Sequence, residues 1–413
     1  MNKNIKLAVA GAVLALTASA ANAGIIIPAG EWTLDVGGNV NMYTSWTKNS
    51  GNTSIGGAIV GQGGVGNQPA INSFGNGLLP NFLSVSGSTR QNDLDVGFTI
   101  SLQPSVANNT AGTQVGSTGN GGLNNRQSFI TFGDKSWGSV KIGKDLGIFA
   151  SDAILNDMTL LGVGWGAASG GIDSLGRIGA GYIYADWKPQ IAYTTPNFNG
   201  FQATVGISQA WAAKNTISAI SSDARNSNVA YEGKASYSFA ANDVTGKIWV
   251  SGISQKQVLR GTSANTSGTI DDSVAYAADI GAHIDWNGLG LTGYYYGGNG
   301  MGTTTQFTNG YAVVGTNINS RDSDGGYLQA TYVLPFKTKV GFAWGQSNLD
   351  LASGEAAATQ VKTNSMTTVG LYHPLTKHLN LVAEYSNVQS ESRAAGSPTN
   401  TSNVGSLGAI LFF

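Results

Sequence analysis

The sequence predicts an all-β protein, a transmembrane antiparallel β-barrel of about 16 strands with long loops at one end and short turns at the other. Three observations carry this reading. The chain opens on an export signal, the rest is apolar at period two, and short connections alternate with long ones throughout.

Lys3 and Lys6 precede an apolar stretch from Leu7 to Leu16, followed by Ala21-Asn22-Ala23. That stretch is far shorter than the roughly 20 residues a spanning helix needs, so residues 1–23 read as a signal peptide cleaved before Gly24, and 24–413 as the barrel. Mean hydropathy is -0.04, which excludes a bundle of membrane helices. It does not exclude a barrel, whose wall alternates lipid-facing and lumen-facing residues and so averages to a soluble value. The chain has no cysteine, so neither disulfides nor thiolate metal sites are available to it. Without Lys3 and Lys6 the net charge falls from -1 to -3, which argues against nucleic acid as a partner.

Period two is unbroken from Leu94 to Gln103, where Leu94, Val96, Phe98, Ile100 and Leu102 alternate with Asp95, Gly97, Thr99, Ser101 and Gln103. It returns in Phe201, Ala203, Val205 and Ile207, and in Leu379, Leu381, Ala383 and Tyr385. A soluble sandwich with one wet face shows the same alternation, so the connections decide. A first strand is expected over about 32–45 and a last over about 404–413. Short turns lie near 89–92, 133–137, 196–200, 240–243, 287–290, 334–338 and 373–378, and polar loops near 46–80, 104–125, 145–188, 212–227, 256–273, 299–324, 348–364 and 387–403. A sandwich has no reason to collect its long loops at one end, whereas an outer-membrane barrel keeps short turns in the periplasm. Trp32, Tyr193, Phe201, Tyr295, Trp344 and Tyr372 are candidates for interfacial girdles.

Three segments resemble the trimeric general porins of Gram-negative bacteria, particularly the β-proteobacterial type. They are Asn125-Arg126-Gln127-Ser128-Phe129 continuing through Trp137-Gly138-Ser139-Val140-Lys141-Ile142-Gly143-Lys144, the run from Tyr193 to Phe201, and the terminal Phe413. The resemblance implies an outer-membrane homotrimer through which small hydrophilic solutes and ions diffuse passively. It also implies that Phe413 is a signal to the barrel-assembly machinery, and that loop 145–188 folds inward as a constriction. Asp145, Asp152, Asp157 and Asp173 would then form its negative side and Arg126, Lys141 and Arg177 the positive one, with Lys144 where the family commonly has arginine. Opposed charges there would filter ions by a transverse field. Arg126 is expected to face the pore and Gln127 the girdle. Asn81-Phe82-Leu83 lacks the arginine usual early in the second strand, and the acidic Pro-Glu-Phe-Gly-Gly element of some third loops is missing, so charge preference does not carry over. Gly37, Gly38, Gly405 and Gly408 offer small residues for packing between barrels.

Other chemistry finds little support. His283, His373 and His378 are the only histidines, and the last two bracket a predicted turn, which suits structure better than catalysis. Asp322-Ser323-Asp324-Gly325 opens like a calcium loop without its distal glutamate. Gly61, Gly63 and Gly66 have dinucleotide-type spacing but no flanking strand and helix. No cofactor or metal is expected. The alternatives to a general diffusion pore are a solute-specific channel and a surface adhesin or receptor barrel. Lumen positions that are mostly Gly, Ser, Thr, Gln and Asp, without an aromatic slide, favour the general pore.

Overall fold

A computed structural model describes residues 24–61, 70–106, 123–166, 173–214, 220–222, 228–261, 270–358 and 360–413; the proposed signal peptide lies outside them. The wall consists of β1 (Trp32–Ser50), β2 (Ala70–Gly75 and Phe82–Gln91, interrupted at 76–81), β3 (Leu94–Pro104), β4 (Leu123–Asp134), β5 (Gly138–Leu146), β6 (Trp187–Thr194), β7 (Phe201–Gln209) and β8 (Val229–Ala241). It continues through β9 (Val244–Gly261), β10 (Ile270–Trp286), β11 (Leu289–Asn299), β12 (Asp322–Val333), β13 (Lys339–Leu349), β14 (Val361–Pro374), β15 (Leu379–Ser392) and β16 (Thr399–Phe412). Each strand pairs antiparallel with the next, and β16 returns to β1 from Asn39↔Phe412 to Ser50↔Thr401, closing a 16-stranded barrel. Closure leaves no long free edge, which a bilayer requires because it offers nothing to hydrogen-bond an open strand.

The tight turns follow from local chemistry. Asn92 and Asp93 (φ 49° and 62°) and Asn287 and Gly288 (φ 47° and 84°) place left-handed residues at both turn centres. That backbone twist matches the strands on either side, so consecutive strands close as hairpins.

The distribution of polarity is inverted relative to a soluble protein. Ile100, Ile130, Ile191, Val205, Val250, Ile280, Leu328, Phe342 and Leu371 are exposed on the outer face, while Ser101, Gln103, Gln127, Gln190, Gln255 and Ser347 are buried inside. Such a surface is stable only against hydrocarbon. Trp286, Trp344, Tyr231, Tyr295 and Phe201 are exposed with the aliphatic residues. Tyr372 departs from the girdle expectation: it is 2% exposed, faces inward and donates to Glu384 Oε1 at 2.6 Å.

The strands outrun the sequence reading at the loop end. β9 reaches Gly261 and β14 begins at Val361, inside stretches expected to be loops. Outward Lys256 and Arg260 are as polar as inward Gln255 and Gln257, so above the apolar band period two loses its contrast. A short strand, Ile25–Ala29, also pairs with Trp32–Val36 and occupies the edge of β1 that β16 does not reach. Of the glycines expected to pack against other barrels, only Gly405 has open space above it. A Cβ at Gly38 would lie 2.0 Å from the Phe82 carbonyl and one at Gly408 2.4 Å from that of Met42, so those two serve contacts within the barrel.

Candidate pore constriction

Loop L3, residues 147–186 between β5 and β6, turns into the lumen instead of outward. It carries a one-turn helix at Ser151–Leu155 and a 3-10 turn at Met158–Leu161, and its Phe149, Ala153, Ile183 and Tyr182 are fully buried. Two wall glutamates hold it at separate points. Glu232 on β8 accepts the N–H groups of Ile148 and Phe149, both at 2.9 Å. Glu384 on β15 accepts those of Val163 and Gly164 at 2.7 and 3.0 Å. Each carboxylate satisfies two backbone donors that a buried loop otherwise leaves without partners. Tyr327 donates to the Ala153 carbonyl at 2.8 Å, Tyr43 to that of Leu161 at 2.7 Å, and Gln329 Nε2 to that of Asn156 at 2.9 Å. L3 thus lies against the wall from β8 through β15 to β1.

The interruption in β2 contributes a second inward element. Gly77 and Leu78 donate to Asn41 Oδ1 and to the Gly162 carbonyl, at 3.0 and 2.9 Å. Between this element, L3 and the wall of β2 to β5 remains a cavity of about 80 Å³, lined among others by Leu78, Leu79, Phe82, Leu155, Leu160, Tyr184, Gln103, Arg126 and Gln127. This gap lies between L3 and the wall.

Arg126 faces this gap, for a reason its neighbour reveals. The β3–β4 register slips between Ser101 and Leu102, so β4 carries an extra residue there. A bulge turns two successive side chains to one face. Gln127 is therefore also inward, 6% exposed and donating to Asp145 Oδ1 at 3.1 Å, rather than in the girdle as alternation suggested. Arg126 Nη2 is hydrogen-bonded to Asp173 Oδ2, and the guanidinium lies 6.0 Å from the Trp187 ring centre. Burial pushes the Asp173 carboxyl above the usual carboxylate range, with Arg126 opposing.

The other expected residues divide. Lys141 and Asp145, four apart on the inner face of β5, are paired. Lys144 is on the outer face, because Lys144↔Ser128 shares the register side of Ile142↔Ile130, and it donates to the Asn125 carbonyl at 2.8 Å. Its place in the constriction set is thereby corrected. Asp157 and Arg177 are both buried within L3 and off the gap. Arg177 Nε lies 3.9 Å from Asp157, Arg177 Nη1 donates to the Met366 carbonyl at 2.9 Å, and Tyr182 donates to Asp157 at 3.0 Å. Asp152 points into the wall, between Lys234 on β8 at 2.9 Å and Lys247 on β9. Burial alone would raise the Asp152 pKa; the two ammonium groups more than offset it and hold the pKa below the usual range. Sequence reasoning missed both lysines, which stand in ordinary alternating strands far along the chain from Asp152.

Toward Arg126, L3 therefore presents Leu155, Leu160 and Tyr184 together with a single acid, Asp173, while Asp152 and Asp157 are turned to partners elsewhere. Phe413 exchanges backbone hydrogen bonds with Gly38 at 2.8 and 3.0 Å. Asp322-Ser323-Asp324-Gly325 is the start of β12, where an extended backbone points its two aspartates to the same outer side instead of wrapping an ion. No metal-binding group occurs among the described residues. Gly63 and Gly66 lie outside them.

A closed 16-stranded wall, an apolar outer face and an inward third loop on a polar lumen are now established, and the comparisons agree. The profile of the Gram-negative porins matches residues 10–393. The chain belongs to that family. It forms an outer-membrane channel for passive diffusion of small hydrophilic solutes and ions. No curated protein matches the sequence. Among solved structures this porin is similar to the outer membrane channel DcaP of Acinetobacter baumannii, at 17% identity and TM-score 0.67, covering 95% of this chain and 100% of that one. It is also similar to an anion-selective porin from Comamonas acidovorans, at 15% identity and TM-score 0.58 over 93% and 100%. The trimer form of OmpT from Vibrio cholerae matches at 11% identity and TM-score 0.56 over 92% and 99%. At these identities the likeness is one of fold.

Proposed function

We propose that this porin is a non-catalytic, anion-preferring pore, exported by residues 1–23, recognised through Phe413 by the barrel-assembly machinery and assembled as a homotrimer in outer-membrane lipid. One observation carries the preference: in the charge clusters around Lys141, Asp152 and Arg126 the acid is buried more deeply than the base, whereas Arg177–Asp157 and Lys188–Glu232 are equally buried on both sides. Lys141 is 24% exposed and Asp145 2%; Lys247 is 32% and Lys234 17% exposed against 3% for Asp152; Arg126 is 17% exposed and Asp173 11%. These clusters hold four bases against three acids, and a permeating ion meets the cationic ends first, in a passage where salt screens poorly. The Comamonas porin is anion-selective by its description, which accords with this reading. A trimeric form is described for OmpT.

The absence of catalysis rests on His283, the one histidine with a hydroxyl and a carboxylate on either side. Its ring contacts Thr292 at 2.8 Å and Asp285 at 2.9 Å, but Thr292 is only 3% exposed and solute does not reach it.

The test is Lys247→Gln, which leaves Asp152 its bond to Lys234. In planar bilayers under a KCl gradient the chloride-to-potassium permeability ratio should fall several-fold. An unchanged ratio in a folded variant would overturn the reading.

A further inference from the structure

We infer that the gap beside L3 is a binding subsite for small monocarboxylates that carry a short apolar tail. The inference rests on the anion-preferring reading and names the solute class that the same passage retains longest.

The gap has two chemically distinct ends. Leu78, Leu79 and Phe82 from the β2 side face Leu155, Leu160 and Tyr184 of L3, giving an apolar slot. Arg126 stands at its edge with one nitrogen committed to Asp173, while Nε and Nη1 have no hydrogen-bond partner among the described residues. Nε and Nη1 sit on different edges of the guanidinium, so each offers a single charge-assisted hydrogen bond to a carboxylate oxygen. Gln103 and Gln127 are not available to the same solute. The Gln103 side chain accepts the Arg126 N–H and donates to Ser101, and Gln127 Nε2 is held by Asp145. Asp145 also lines the gap, but Lys141 and Gln127 hold its carboxylate, so a sugar finds few free donors and acceptors there. An alkanoate finds a partner for each half of its structure.

The volume sets the tail. About 80 Å³ equals roughly two to three waters, or a propyl chain, so butyrate fills the slot and longer chains protrude. Each methylene that enters should raise occupancy about fourfold. The slot is formed by L3 and the inward turn of β2 together, which ties its width to the contact between Leu78 and Gly162.

The experiment measures chloride current through the intact porin in planar bilayers at constant ionic strength, while chloride is replaced by acetate, propionate, butyrate or hexanoate, with glycerate as the polar control. The expected result is saturable block whose half-maximal concentration falls about fourfold per methylene from acetate to butyrate, then levels at hexanoate. Glycerate should block no better than acetate. Arg126→Gln should abolish the block by every acid, and Leu155→Ser should flatten the chain-length series, each read against its own chloride current. Block that does not depend on chain length, or that survives Arg126→Gln, would overturn the inference. A wild-type channel with no anion preference would overturn the reading beneath it, while an anion-preferring channel with a flat series would overturn the subsite alone.

Discussion

Arg126 and the two wall glutamates show how little a residue's type says about its role until its partners are known. Arg126→Glu changes the charge at the gap by two units while leaving the lipid face untouched, so barrel assembly should be unaffected and the permeability ratio should move several-fold toward cations. An unshifted reversal potential in a folded variant would place Arg126 off the permeation path. Asp173 adds a pH dependence. Its raised pKa means that it loses its charge at a higher pH than an ordinary carboxyl, leaving Arg126 unopposed, so anion preference should rise as pH falls through that raised value. Asp173→Asn should remove the step. Glu232 and Glu384 perform the same backbone task with different consequences. Glu232 also holds the buried Lys188 at 2.8 Å, so Glu232→Gln strands a buried cation and should cost about 3–5 kcal/mol, read as a lower temperature for conversion of the folded gel band. Glu384 has no cation in hydrogen-bond reach, and a glutamine oxygen can still accept both N–H groups, so Glu384→Gln should cost about 1 kcal/mol.

At the level of elements, the wall was legible in the sequence and its irregularities were not. Leu94 to Gln103 alternates without a slip and forms β3 as read, and Asn287-Gly288 makes the turn its residues dictate. The bulge in β4 left no mark, because Arg126 and Gln127 are both polar and a shifted register changes nothing in their hydropathy. Residues 76–81 were absorbed into a loop of 46–80, since a strand that leaves the wall, turns inward and returns has no period of its own. Length and resemblance raised the expectation of an inward L3, but which way its aspartates turn depended on Lys234 and Lys247, the second of them 95 residues from Asp152 along the chain. The contact between L3 and the inward turn of β2 is open to direct test at Gly176. Its φ of +56° and a Cβ position 2.3 Å from Leu78 Cδ2 leave no room for a side chain. Gly176→Ala should therefore push the two elements apart and raise single-channel conductance, while the circular-dichroism spectrum keeps its β shape.

For the whole molecule, the account is that of a barrel whose inside was made polar and whose outside was made apolar, with one loop spent on narrowing the passage. Closure of β1 on β16 should give a folded form that survives mild detergent and shifts in a gel only on boiling, and native mass spectrometry in mild detergent should find trimers. Neither net charge nor composition announces a preference; burial of Asp145, Asp152 and Asp173 behind their bases creates one. The most direct test is therefore the sign of the zero-current potential of the wild-type channel in a KCl gradient. A value on the chloride side of zero, growing as the pH is lowered, is the expected result. A potassium-side value in a folded channel would contradict the account, because the buried aspartates would then govern the passage in place of Arg126, Lys141, Lys234 and Lys247.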